Sequence, residues 1–163
     1  MAKARIETDS TERTHRAFVR AWGLFRHAMD HYFAGFGISS AQWGLLRALS
    51  RAEREKKDGL RLTDLGHRML VRPPSVTALV DRMQRMGLVV REAASDDQRA
   101  KLVKLAPGGR RLLDRVLECH SRQIHLVMGG LNQAEQQQLL GLMEKLSAHL
   151  ETLKAEQQTA RGL

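Results

Sequence analysis

Apolar side chains recur along residues 11–35 at steps of three and four, through Phe18, Trp22, Phe25, Met29 and Phe33, and this spacing predicts one long amphipathic helix. Ser39 to Gln42 then form a Ser-x-x-Gln capping box. It opens a short, buried helix that carries Trp43, Leu45, Leu46 and Leu49 and runs to about Ala52. The charged run 51–59, ending in Asp58-Gly59, predicts a solvated connection. Residues 63–70 predict a short helix. Pro73-Pro74 interrupts it, because the residue before a proline is pushed out of the α region while proline suits a helix's first turn. From Pro74 to Met86, Val76, Leu79, Val80 and Met83 fall at i, i+3, i+4 and i+7 and point inward. Pro74, Ala78, Asp81 and Arg85 are left facing outward, with Ser75, Thr77 and Arg82 on the flanks. Gly87 ends this helix.

The pattern then changes period. Leu88-Val89-Val90 and Leu102 to Leu105 are short β-branched runs on either side of the polar stretch 91–101, and together they predict a β-hairpin with a long charged tip. Pro107-Gly108-Gly109 opens a helical region whose stripe is Leu112, Leu113, Val116, Leu117, His120, Ile124 and Val127, and Gly129-Gly130 breaks it. Asn132 to Glu135 is a second capping signal. A closing helix follows through Leu139, Leu142, Met143, Leu146, Leu150 and Leu153, with fraying expected from about Gln157.

Composition narrows the function classes. The 163 residues are about one domain's worth of chain, 42% hydrophobic and 28% charged, and no run approaches the roughly 18 apolar residues of a membrane span. Aromatics at 4% and only three prolines argue against a sandwich of many short strands and for a helix-dominated chain. A single cysteine, Cys119, forms no internal disulfide, and MAKARIETDS lacks the apolar core of a secretory signal, so a cytoplasmic location is expected. The net charge is +9, which points toward a polyanionic partner. The excess peaks in residues 60–111, with eleven basic and five acidic side chains, whereas residues 112–163 carry five and six.

Helix, turn, helix, glycine and a two-stranded hairpin make a winged helix-turn-helix. The second helix of the pair suits the major groove: Ser75 and Ala78 permit close approach to base edges, and Arg72, Arg82 and Arg85 can neutralise phosphates. In order as well as content, Pro74-Ser75-Val76-Thr77-Ala78-Leu79-Val80-Asp81-Arg82-Met83, Gly87-Leu88-Val89, the wing Asp97-Gln98-Arg99-Ala100-Lys101-Leu102-Val103-Lys104-Leu105 and Gly109 resemble the MarR family of multiple-antibiotic-resistance-type transcriptional regulators. The fold class expected is mainly α: a winged helix-turn-helix lobe over 38–106 with a small β-hairpin wing, and an all-helical dimerisation region from 11–37 and 107–156.

The resemblance implies a homodimer that reads a pseudo-palindromic operator in double-stranded DNA and acts as a repressor released by a small aromatic, phenolic or acyl-thioester effector. Pro74, Ser75, Thr77, Ala78, Gln98 and Lys101 join the arginines as DNA-binding candidates, Arg99 resembles the minor-groove arginine, and Asp97 resembles the acid that steadies the wing. Two positions depart from the family pattern. Ala106 stands where a threonine usually caps the next helix, a loss of about 0.5–2 kcal/mol, and Pro73-Pro74 removes two backbone donors near the turn.

Trp22, Arg26, Trp43 and Arg47 are the candidate effector wall, with aromatic faces and guanidinium groups suited to a carboxylate. The competing reading makes both tryptophans core and both arginines solvated. His27 and His31 share a helical face, but nothing completes a metal set, and exposed histidines are expected. Cys119 reads as a buried, inert thiol, and Met29, Met69, Met83, Met86, Met128 and Met143 as core filler. No phosphate loop, nucleophile elbow or His-Glu-x-x-His pattern occurs, so neither catalysis nor a cofactor is expected. The alternatives are a ligand-blind architectural nucleic-acid binder and a module that docks protein partners.

Overall fold

The computed structural model describes residues 9–70, 73–93 and 101–161. Helix α1 spans Ser10–Ala34, and its first turn is capped by the Asp9 carboxylate, which accepts from the Thr11 N–H. Helix α2 spans Ser40–Arg54. Both arms of its capping box are made: Gln42 N–H donates to Ser39 Oγ at 3.3 Å, and Ser39 N–H donates to Gln42 Oε1 at 2.8 Å. Helix α3 spans Leu62–Met69 and ends at Leu70, whose φ of 54° puts it in the left-handed region. Helix α4 spans Pro73–Arg85. It ends in a glycine stop: Gly87 has φ 67°, its N–H reaches Gln84 O at 3.0 Å, and the Leu88 N–H reaches Met83 O at 2.9 Å.

Strands β1 (Val89–Ala93) and β2 (Lys101–Leu105) pair antiparallel with Val89 opposite Leu105 and Ala93 opposite Lys101. The hairpin is therefore longer on its first side than the apolar run alone indicated, reaching through Arg91 and Glu92. Leu60 pairs with Val103 through two backbone bonds of 3.1 and 2.8 Å, adding a one-residue third rung that the sequence pattern gave no sign of.

Helix α5 spans Pro107–Met128 and α6 spans Gln133–Arg161. Asn132 and Glu135 cap α6 reciprocally, at 2.8 and 3.0 Å. Against the expected fraying, α6 stays helical to Arg161, as its run of Ala, Leu, Lys, Glu and Gln favours on propensity alone. The chain divides into two compact units between Ser121 and Arg122. In the second unit Leu140, Leu142, Leu150 and Leu153 are exposed along α6.

The core of the first unit lies where α2, α3, α4, the hairpin and the start of α5 meet. Leu45, Leu46, Leu49, Leu65, Val76, Val80, Met83, Val89, Val103 and Val116 are each less than 2% exposed. Helix α1 contributes only Met29 and Phe33 to the fully buried set, while Phe18, Val19, Trp22 and Leu24 on its earlier turns are exposed. Tyr32 ties α1 to α5 by donating from its hydroxyl to Val116 O at 3.0 Å.

Two sequence expectations are corrected. Cys119 is exposed, because the buried stripe of α5 runs through Leu112, Leu113 and Val116 and leaves position 119 on the helix's open side. Met86 is also exposed, since the glycine stop ends α4 just before it; its sulfur accepts from Gln42 Nε2.

The glycine pair at the start of α5 is dictated by space. A Cβ on Gly109 would stand 2.1 Å from Leu88 O, and one on Gly108 would stand 2.7 Å from Gly87 O, both backbone atoms that side-chain repacking does not move. Gly109→Ala is therefore expected to cost about 1–3 kcal/mol, seen as a lower denaturant midpoint. Gly23→Ala in α1, where a Cβ meets nothing within 4 Å, should instead leave stability unchanged or raise it by about 0.5–1 kcal/mol.

Candidate nucleic-acid interface

Helix α4 has two unlike faces. Val76, Val80 and Met83 are wholly buried and fix its inner face to the core, while Ser75, Thr77, Ala78, Arg82 and Arg85 are exposed on its outer side. Small and polar residues near the start and arginines near the end are what close approach to base edges followed by phosphate contact requires. Helix α4 begins at Pro73 and so includes Pro74, but the side chains of both prolines, together with Arg72, Asp97, Gln98 and Arg99, lie outside the described residues. Lys101 is exposed at the first position of β2, on the side of the hairpin that leads to the tip.

The wing is tied to α4 by a pair that sequence reasoning did not single out. Arg91 on β1 bonds Asp81 at 2.6 Å and Gln84 at 3.1 Å, and its side chain is mostly covered. Asp81 also keeps its backbone oxygen available to Arg85 Nε at 3.4 Å. The signal was present as an acid and a base on either side of the Gly87 stop, but periodicity reads each side chain only as outward-facing. On the other strand, Lys104 bonds Asp58 at 2.6 Å and Glu92 at 2.9 Å; those hydrogen bonds, Asp58's first, hold its ammonium above the ordinary lysine range. The root of the wing is thus crosslinked to α4 through β1 and to the loop before α3 through β2.

The four candidate effector residues fall in different surroundings. Trp43 is only 7% exposed and packs against Phe33 at 5.3 Å and His120 at 5.1 Å between ring centroids. Arg47 covers its ring at 5.7 Å. Trp22 is 55% exposed and stacks on Phe25, and Arg26 is exposed on the same helix. Of the four, Arg47 alone lines the large cavity between α2 and α3. His27 and His31 are both exposed, and no group of metal-type side chains assembles among the described residues. His120 sits among Tyr32, Phe33 and Trp43, its Nδ1 buried without a hydrogen-bond partner among the described residues. Burial, and after it the charge on Arg47, push its imidazole below the ordinary value of 6.5.

Comparison with known proteins places this geometry. A family model described as the MarR family matches residues 36–100. The chain is 30% identical over 128 residues to the HTH-type transcriptional repressor YetL of Bacillus subtilis, covering 78% of this chain and 75% of that protein. Two solved structures share the fold. Bordetella bronchiseptica BpsR, whose DNA binding is regulated by 6-hydroxynicotinic acid, superposes with a TM-score of 0.71 at 22% identity, covering 83% of this chain and 98% of BpsR. A mutant MarR from E. coli complexed with operator DNA gives 0.75 at 20% identity, covering 85% and 99%.

Two outcomes follow from the geometry. Arg91→Ala should cost at most about 1 kcal/mol of stability, because its partner carboxylate is half exposed, yet should weaken duplex binding by about tenfold, or about 1.4 kcal/mol, as α4 loses its tether to the wing; thermal melts and a duplex titration separate the two. For His120, burial in the folded chain favours the neutral form, so its contribution is complete above pH 6.5 and is lost progressively as pH falls below 6.5. Denaturant midpoints across that window should decline in the wild type and decline less in His120→Phe.

Proposed function

This chain belongs to the MarR family of DNA-binding transcriptional regulators, and from that premise we propose that it is a homodimeric repressor that binds a pseudo-palindromic operator and is released by a small effector. The observation that carries the reading is the two-faced helix α4: a buried side that fixes its position and an outer side of Ser75, Thr77, Ala78, Arg82 and Arg85, beside a wing whose root is crosslinked to it. The operator complex of the similarly folded MarR supports assigning that outer side to the major groove, with Arg72, Pro74, Asp97, Gln98, Arg99 and Lys101 completing the contact. The excess of positive charge in residues 60–111 supports the same partner.

The lobe 38–106 is the proposed DNA reader, and 11–37 with 107–156 the proposed dimerisation region. Leucines left exposed on α6, among them Leu142 at 63%, are the area that a second copy would cover. A cytoplasmic location fits this role. For release, the effector class is a small aromatic, phenolic or acyl-thioester compound, with Trp22, Arg26, Trp43 and Arg47 as its wall; BpsR, regulated by an aromatic acid, supports that class. The effector must favour the DNA-incompetent spacing of the two recognition helices.

The test is binding to the DNA flanking the chain's own gene against a scrambled duplex at two salt concentrations. A large preference for the flanking DNA, with one dimer per site, is expected. Equal affinity for both with a steep salt slope would overturn the reading in favour of an architectural binder. Arg99→Ala should weaken the specific complex by about tenfold or more with an unchanged melting temperature, and Arg82→Ala should lower the salt slope by about one.

A further inference from the structure

Outside the α4 face, several charged side chains gather around a recess between α2 and α3. It has a volume of about 1010 Å³, near the upper end for small-molecule sites, and among the described residues none of α4 or the wing lines it. Among the described residues four guanidinium groups do, from Arg47, Arg51, Arg54 and Arg68, together with the carboxylate of Glu55. Three of the arginines follow one another along a face of α2 at i, i+4 and i+7, a span of about 10 Å. Like charges at that spacing oppose the helix.

The internal compensation is incomplete. Glu55 accepts from Arg68 through both oxygens and approaches Arg51 at 3.4 Å; the Arg68 bond foremost keeps its carboxyl below the usual range. Among the described residues neither Arg47, which lies over the face of Trp43, nor Arg54 has an ion pair. Glu55 therefore serves as a built-in anion occupying one end of a row with more cationic forks than one carboxylate can satisfy.

We propose that this recess is a binding site for a small anion carrying two or more carboxylate or phosphate groups, held by Arg47, Arg51 and Arg54 and in competition with Glu55. Guanidinium forks match carboxylate and phosphate oxygens in pairs. A row about 10 Å long favours a ligand with separated charges over a single carboxylate. A nucleic-acid backbone is the less suitable occupant, because it would have to enter a recess that already holds the Glu55 carboxylate. The site is distinct from operator recognition and is tested without DNA.

The experiment is calorimetric titration of the full chain with pyrophosphate and with tricarballylate at constant ionic strength, with acetate as the monovalent control. Both multivalent probes should bind one per chain and acetate should not. The Arg51→Ala/Arg54→Ala variant should lose about tenfold in affinity per guanidinium removed, about 1.4 kcal/mol each, while Glu55→Gln should bind more tightly. Arg13→Ala/Arg16→Ala, which removes two exposed charges from α1, should bind as the wild type does. In a Trp22→Phe background Trp43 is the only tryptophan, and its fluorescence should change with the same midpoint, since Arg47 covers its ring. Equal losses in the α1 variant would mean attraction to net charge alone and would overturn the site. So would an unchanged affinity in Arg51→Ala/Arg54→Ala, or a defect of that variant confined to duplex binding.

Discussion

The architecture depends on how closely two backbone segments approach at the exit of α4. The first turn of α5 lies against Gly87 and Leu88 with no room for a side chain at 108 or 109, and the Ala106 N–H closes the contact by donating to Leu88 O at 3.1 Å. Because Leu88 also completes the glycine stop of α4 by donating to Met83 O, one short stretch fixes the end of α4, the start of the hairpin and the start of α5. Ala106 offers no side-chain acceptor as a cap; its carbonyl accepts the first intrahelical bond, from the Arg110 N–H at 3.1 Å, as any residue at that position would.

From that junction the division of labour follows. The hydrophobic side of α4 is used up in the core, so its orientation is not adjustable by its own residues, and the side that remains is small, polar and then basic. Ion pairs at the wing root then set how the hairpin stands beside it: Arg91 to Asp81 on one strand, Lys104 to Asp58 and Glu92 on the other. Each is partly exposed and contributes little to stability. Their effect is on direction: they fix how the hairpin stands beside α4.

Much of this was legible in the chain. Strict i, i+3, i+4, i+7 spacing marked α4, the Ser39 and Gln42 pair marked the start of α2, and Gly87 marked the stop, because each is a local rule with a local cause. What escaped was set by tertiary contact. The Leu60–Val103 rung needs two residues far apart in sequence and leaves no period. The stripe of α1 is uniform in sequence, yet only its last turns are buried, so Trp22 and Trp43 looked alike and differ widely in exposure. Cys119 was expected to be buried because it lies mid-helix among apolar residues, yet the stripe through Val116 and His120 turns position 119 to the open side. The arginine row of α2 was visible only as a charged run, since the recess that gives it meaning is made by α3.

The most direct test of the central claim, that the outer face of α4 and the wing are what DNA covers, is arginine-selective chemical labelling of the chain with and without its bound duplex, read residue by residue by mass spectrometry. Arg82, Arg85 and Arg99 should become protected on binding, while Arg51 and Arg54 should stay reactive. Protection of Arg51 and Arg54 with Arg82 and Arg85 still open would contradict the account.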